Sequence, residues 1–281
     1  MNTENQTSKA EKLPPQNEEQ TSHIEEQTSK AEKSPSQNEE QTSETENSTS
    51  HIKEQTSQIK KPTKVEITTA IKYLGYDKMP TDDRLLSLFS DSATIIETVS
   101  KPRFLYSYFD ISKTSDGISL QNTPVILKGS SISNHLEGCD RVAIFCVTLS
   151  NAIDTSISKA KFDVLKQLIL DTFASCFVEQ YCEYIEDLII NENTATFHTK
   201  RFGIGYGDLS LTYQNDILTL LNAQKKIGVL ATNSGILTPR KSVTAIIGFS
   251  KNKTNTEYNS CDSCLLRGDC TAFRKGEHCG K

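Results

Sequence analysis

Val142-Ala-Ile-Phe-Cys-Val-Thr-Leu149 is the run on which the fold turns. It is almost continuously apolar, and an antiparallel strand with one wet face would instead alternate apolar and polar residues. A run this short and this apolar reads as a central strand covered on both faces. Covering both faces needs helices, and the flanking sequence supplies them. Downstream, Phe162 to Ile190 reads as one long amphipathic helix, with Leu165, Leu168, Ile169, Phe173, Cys176 and Phe177 on its apolar side. Upstream, Thr81-Asp-Asp offers an N-cap and first-turn acids for a helix over Arg84–Val99, which Pro102 ends. Ile67–Leu74 spaces its apolar residues for a shorter helix that stops at Gly75.

The remaining segments add strands. Phe104-Leu-Tyr-Ser-Tyr-Phe109 is rich in strand formers, and Ile118-Ser-Leu120 and Val125-Ile-Leu127 are short strands between turn residues. Ser131–Leu136 predicts a short helix and Thr212–Lys226 a longer one. Val229–Thr232 and Val243–Phe249 close the core as strands. Strands and helices mix without regular βαβ alternation, so the expected class is α+β, a mixed or antiparallel sheet flanked by helices.

Three regions are expected. Residues 1–64 contain no aromatic residue and almost no large aliphatics, so they lack the apolar surface to offset chain entropy and predict a disordered tail. The tail repeats itself: Gln6–Lys12 recurs at Gln27–Lys33, and Gln16–Ser22 recurs at Gln37–Ser43. A coiled coil is excluded, because the repeat has no apolar seam and contains Pro14, Pro15 and Pro35. Residues 65–250 form the globular domain, and residues 251–281 a cysteine-rich tail. The net charge of −5 falls mostly on residues 1–64, leaving no basic stripe to meet a nucleic acid. No apolar run approaches a membrane span, and Met-Asn-Thr-Glu-Asn-Gln lacks the marks of a signal peptide. A cytoplasmic protein is expected. Cys139, Cys146, Cys176 and Cys182 lie in apolar patterns and read as small buried hydrophobes.

Chemistry concentrates in Arg201-Phe-Gly-Ile-Gly-Tyr206. Arg201 offers a rigid fork for a carboxylate. Gly203 and Gly205 permit close approach of the backbone, and Tyr206 supplies a flat apolar face with a hydroxyl at its edge. Such a loop suits a zwitterionic, partly aromatic small molecule, although a plain glycine-rich turn carries the same letters. A dinucleotide-type loop is excluded: Asp208 intervenes, and Lys225-Lys-Ile-Gly228 stands where the strand and acid should follow. His135 lacks a partner nucleophile and reads as structural. Thr238-Pro-Arg-Lys-Ser242 reads as a strand-entry turn.

Taken together, Arg201-x-x-x-Gly205-Tyr206, Ala223–Val229 and Leu237–Ala245 resemble the activation domain of vitamin B12-dependent methionine synthase, in its stand-alone form. The resemblance extends back through His135-Leu-Glu-Gly-Cys139 and Val142–Leu149 and spans roughly residues 65 to 250. It implies a curved mixed sheet flanked by helices. It also implies that Arg201 meets the carboxylate of S-adenosylmethionine while Gly205 and Tyr206 hold the sulfonium end. Asp110 is the nearby acid for the ligand's amino group, and Arg240, Lys241 and Ser242 would stand behind the loop. The implied function is reactivation of a separate cobalamin-dependent methionine synthase, with the cobalamin carried by the partner. An electron donor such as flavodoxin or ferredoxin would serve it.

The last 21 residues hold Cys261-x2-Cys264-x5-Cys270-x8-Cys279. Two residues between the first pair let both thiolates turn inward, and the later pair completes four ligands for zinc or an iron–sulfur cluster. His278 is an alternative fourth ligand. A reaction that consumes an electron favours iron–sulfur, since zinc has no redox chemistry. The rival reading of the chain is a ligand-sensing or regulatory module with a structural zinc knuckle. Activation of another corrinoid methyltransferase is a third.

Overall fold

The computed structural model describes residues 59–193, 197–252, 267–269 and 274. Its centre is an antiparallel seam between β4 (Arg141–Thr148) and β9 (Ser242–Ser250), in register from Arg141 opposite Phe249 to Thr148 opposite Ser242. Both strands are buried along nearly their whole length, as the apolar run requires. β1 (Arg103–Thr114) pairs with the other side of β4, and then β2 (Gly117–Leu120) and β3 (Ile126–Leu127) extend the sheet. On the far edge, β5 (Phe197–His198) and β6 (Phe202–Gly203) both pair with β9. Every pairing is antiparallel, so of the two expected sheet types it is the antiparallel one that forms among the described residues. β7 (Leu230–Ala231) and β8 (Leu237–Thr238) make a separate two-stranded ribbon rather than joining the core sheet.

The period of two along β4 divides the core. Ala143, Phe145 and Val147 face one helical layer: α1 (Ile67–Tyr73), α2 (Asp83–Val99), α4 (Asn151–Lys159) and α5 (Val164–Asn191). Val142, Ile144 and Cys146 face the other: α3 (Ser130–His135), α6 (Tyr213–Leu221) and α7 (Ala223–Ile227). The cap expected from Thr81-Asp-Asp is in place at Asp82, and Asp163, which the sequence reading put inside the long helix, caps it. Asp82 accepts from the Leu85 amide at 2.9 Å and Asp163 from the Lys166 amide at 3.0 Å. α5 is 28 residues, about 42 Å of helix. Among the described residues no helix is long and apolar enough to cross a membrane.

Four local expectations are corrected. Leu165 and Leu168, assigned to the apolar face of the long helix, are 52% and 54% exposed, because the buried stripe begins only at Ile169. The single helix expected over Thr212–Lys226 is two, broken where Asn222 takes the left-handed conformation that asparagine tolerates. Cys139 lies in the turn before β4 and is half-buried rather than buried. Finally, α4 fills a stretch to which the sequence reading assigned no element. Only Ile153 and Ile157 bury from it, too few apolar residues to announce a helix.

Phe173 lies wholly inside the first layer, 5.6 Å from the ring of Phe89, whereas Phe162 is 90% exposed. Phe173→Ala is expected to cost about 3–5 kcal/mol in urea unfolding, and Phe162→Ala less than about 0.5 kcal/mol.

Candidate functional site

The loop that follows β6 is built from its own side chains. Register places Phe202 opposite Ile246 and Gly203 opposite Ala245. The chain then turns twice, with the Tyr206 amide donating to the Gly203 carbonyl at 3.2 Å and the Leu209 amide to the Tyr206 carbonyl at 3.0 Å. The Tyr206 ring lies over Gly203, where a Cβ would stand 2.5 Å from Cε2. Gly205 has φ +97°, and a Cβ there would stand 2.5 Å from Leu211 Cδ2. The backbone conformation thus calls for glycine at 205, whereas at 203 a side chain would have to push the Tyr206 ring aside. Tyr206 itself is 61% exposed.

Two contacts from distant sequence splint the loop to α3. Asp208 accepts from the Ser130 amide at 2.7 Å, the Ser130 hydroxyl at 2.8 Å and the Ser131 amide at 2.9 Å. The Ser131 amide is the first cause, with Ser130 adding to it, and together they hold the Asp208 carboxyl down at about 2. At the other end of α3, His135 Nε2 lies 2.8 Å from the Lys200 carbonyl and its ring 4.9 Å from that of Phe202. Burial lowers the pKa of His135, which agrees with a structural role.

Arg201 turns onto α5. One Nη donates to Glu186 at 2.8 Å and the other to Glu179 at 2.9 Å, while the Arg201 amide reaches the second oxygen of Glu186 at 3.1 Å. Burial works against the guanidinium charge, but the net shift is upward. Cys182, Glu179 and Glu186 are the neighbours that raise it, and with Cys182 held as a neutral thiol the two glutamates carry the effect. Two of the five N–H groups of arginine serve these pairs.

Lys241 holds the same helix nearer its start: Nζ lies 2.9 Å from Asp171 and donates to Ser175 at 2.8 Å. Around it, the Arg240 amide donates to Asp154 at 2.8 Å and the Ser242 hydroxyl to Thr148 at 2.8 Å. Thr238-Pro-Arg-Lys-Ser242, with a cis Thr238–Pro239 bond, therefore joins β9 to α4, β4 and α5. Asp110 stands in the row of Arg141, Phe249 and His198. The row of Gly203 passes through Ala245, Phe145 and Tyr106, four residues or about 13 Å along the strands. The acids gathered at Arg201 are instead Glu179, Glu183 and Glu186, and these the sequence reading missed. Their spacing of four and three residues on one helix is the signal that was available.

Thiol chemistry is absent from this region. Burial pushes Cys146 and Cys176 up to about 12 and Cys139 to about 11, so none offers a thiolate near neutrality. Among the described residues no group of three or more His, Cys, Asp or Glu is placed to hold a metal ion. Cys261, Cys264, Cys270, Cys279 and His278 lie outside the described residues. A surface cavity of about 500 Å³ lies between α2, α4 and the start of α5, walled by Ile95, Ala160, Phe162 and Leu170 among others. It shares no residue with the loop.

No protein-family profile matches the chain, and no curated protein sequence matches it. Among solved structures it is similar to the crystal structure of the MetH reactivation domain bound to AdoHcy, with a TM-score of 0.51 and 18% identity. The match covers 76% of this chain and 82% of that one. At that identity the likeness is one of architecture: the protein has the fold of a reactivation domain, the α+β fold its loop motif led one to expect.

Asp208→Ala removes the cap of α3 and is expected to cost about 1 kcal/mol at pH 7. The Asp208 pKa is depressed by folding, so its stabilisation is full above about 4 and fades as pH falls toward 2. The gap between wild type and variant in urea midpoint should shrink across that window.

Proposed function

We propose that this protein is an activation component for a cobalamin-dependent methionine synthase, acting in the cytoplasm on corrinoid-bearing modules of a separate chain. The loop Arg201–Tyr206 is its S-adenosylmethionine site. The observation that carries the reading is the fold shared with a reactivation domain over most of both chains, coupled to Arg201-x-x-x-Gly205-Tyr206 in a tightly built turn at the sheet edge.

In this reading the corrinoid is the substrate. One electron from a flavodoxin- or ferredoxin-type donor reduces Co(II) to Co(I). The cobalt electron pair then takes the methyl carbon of the sulfonium, the S–C bond breaks, and the thioether leaves neutral. The protein supplies no base. Its part is orientation and exclusion of water. The N–H groups of Arg201 not turned to Glu179 and Glu186 meet the ligand carboxylate, and the exposed face of Tyr206 lies against the sulfonium, a cation–π contact of about 1 kcal/mol.

Calorimetry on residues 65–250 is expected to detect S-adenosylmethionine binding, and Arg201→Ala to weaken it by about 2 kcal/mol, near thirtyfold. Arg201→Lys keeps the charge but not the fork and should recover only part. Melting curves of both variants separate lost affinity from lost fold. A wild-type domain that binds nothing would overturn the site.

Four thiols suit zinc or an iron–sulfur cluster, and Cys261, Cys264, Cys270 and Cys279 are the residues proposed to hold it. Iron–sulfur there would supply redox capacity, and zinc a structural clasp. After anaerobic purification, iron with acid-labile sulfide is expected in the wild type and is lost in a Cys261→Ser/Cys264→Ser variant. Stoichiometric zinc without iron would make the tail structural.

A further inference from the structure

Glu179, Glu183 and Glu186 follow one another at i, i+4 and i+7, so α5 presents three carboxylates along one face. Arg201 is set into that face. Glu179 and Glu186 each hold one of its Nη atoms, and Glu186 also takes its backbone amide. The guanidinium side chain is 21% exposed and Glu186 17%, so the pair with Glu186 is shielded from solvent. Glu183 is a third charge beside them: burial raises its pKa, Arg201 opposes that, and Glu179, Glu66 and Glu186 reinforce it. Counting Arg201 against the three glutamates leaves these four side chains at net −2 when all are ionised.

That balance bears on what the loop prefers. S-adenosylmethionine carries an ammonium, a sulfonium and a carboxylate, net +1. The product of its demethylation, S-adenosylhomocysteine, keeps the ammonium and carboxylate, net zero. The two share every group except the methyl cation, so a contact to their common carboxylate cannot tell them apart. A negative field can. The Tyr206 ring lies over Gly203, two residues from Arg201, which places the aromatic face and the carboxylates on the order of 20 Å apart or less. At that separation, partly shielded from solvent, one unit charge shifts the affinity of a monocation about two- to threefold.

We propose that Glu179 and Glu186 are positioning residues for Arg201, and that with Glu183 they make the loop select cationic S-adenosylmethionine over neutral S-adenosylhomocysteine, so that methyl transfer itself loosens the product. The inference rests on the reading of the loop as the S-adenosylmethionine site. Two roles are separable. Pinning Arg201 serves both ligands alike, since both present the carboxylate. The field serves only the cation. Glu183 donates no pin to Arg201 and therefore isolates the second role.

The experiment is calorimetric titration of the full chain with S-adenosylmethionine and, separately, S-adenosylhomocysteine, at low and at high sodium chloride. Wild type is expected to prefer the cation by about fivefold or more at low salt, and the preference to shrink at high salt as the field is screened. Glu183→Gln should weaken S-adenosylmethionine about two- to threefold and leave S-adenosylhomocysteine unchanged. Glu186→Ala, which removes both a pin and a charge, should weaken both ligands and the cation more. A purely structural role would weaken both by the same factor. Equal affinities in the wild type, or a ratio unmoved by Glu183→Gln, would overturn the selectivity while leaving the site intact. Binding of neither ligand by the wild type overturns both.

Discussion

The β4–β9 seam is the constraint on which the remainder depends. Eight paired positions run from Arg141–Phe249 to Thr148–Ser242, all but Arg141 and Val243 buried, and a slip of one residue would exchange the two cores. Phe145 would then face α6 and α7, and Ile144 would face α5. With the register held, β9 presents its free edge to β5 and β6, and the loop from Phe202 onward takes its direction from Ala245 and Ile246. The seam also fixes where the two cations of the far edge reach α5. Lys241 enters just before β9 and meets Asp171 and Ser175, whereas Arg201 enters beside its middle and meets Glu179 and Glu186.

The seam itself was legible. Val142–Leu149 is apolar without alternation, and only a strand covered on both faces answers to that. The cap at Asp82 was legible because it acts within three residues. What escaped the sequence acts across long separations or carries weak local signal. α4 buries two isoleucines among polar residues, and β5 and β6 are two residues each. Leu165 and Leu168 fit the helical stripe of α5 but precede the point where anything covers it.

The site divides in the same way. Arg201, Gly205 and Tyr206 stand together in the chain, so the loop announces itself. Its supports do not: Asp208 grips serines 77 and 78 positions earlier, and His135 meets a carbonyl 65 positions later. Glu179 and Glu186 read as an ordinary solvated stripe until Arg201 is laid against them. Gly203 and Gly205, read as room for a ligand, are occupied on the inner side by Tyr206 and Leu211. The room the two glycines suggested is thus filled from within the loop, while Tyr206 itself stays largely exposed.

The grip of the loop on α3 has a bearing on portability. Asp208 closes one end of that short helix and Lys200 the other, so the segment from Lys200 to Asp208 is one half of a clasp whose other half was translated some seventy residues earlier. A peptide excised from this region, or the same letters grafted onto another scaffold, would keep the motif and lose the shape. The unit an engineer would have to transplant is the pair of segments, near 129–136 and 200–211, together with the edge of β9 against which they are set.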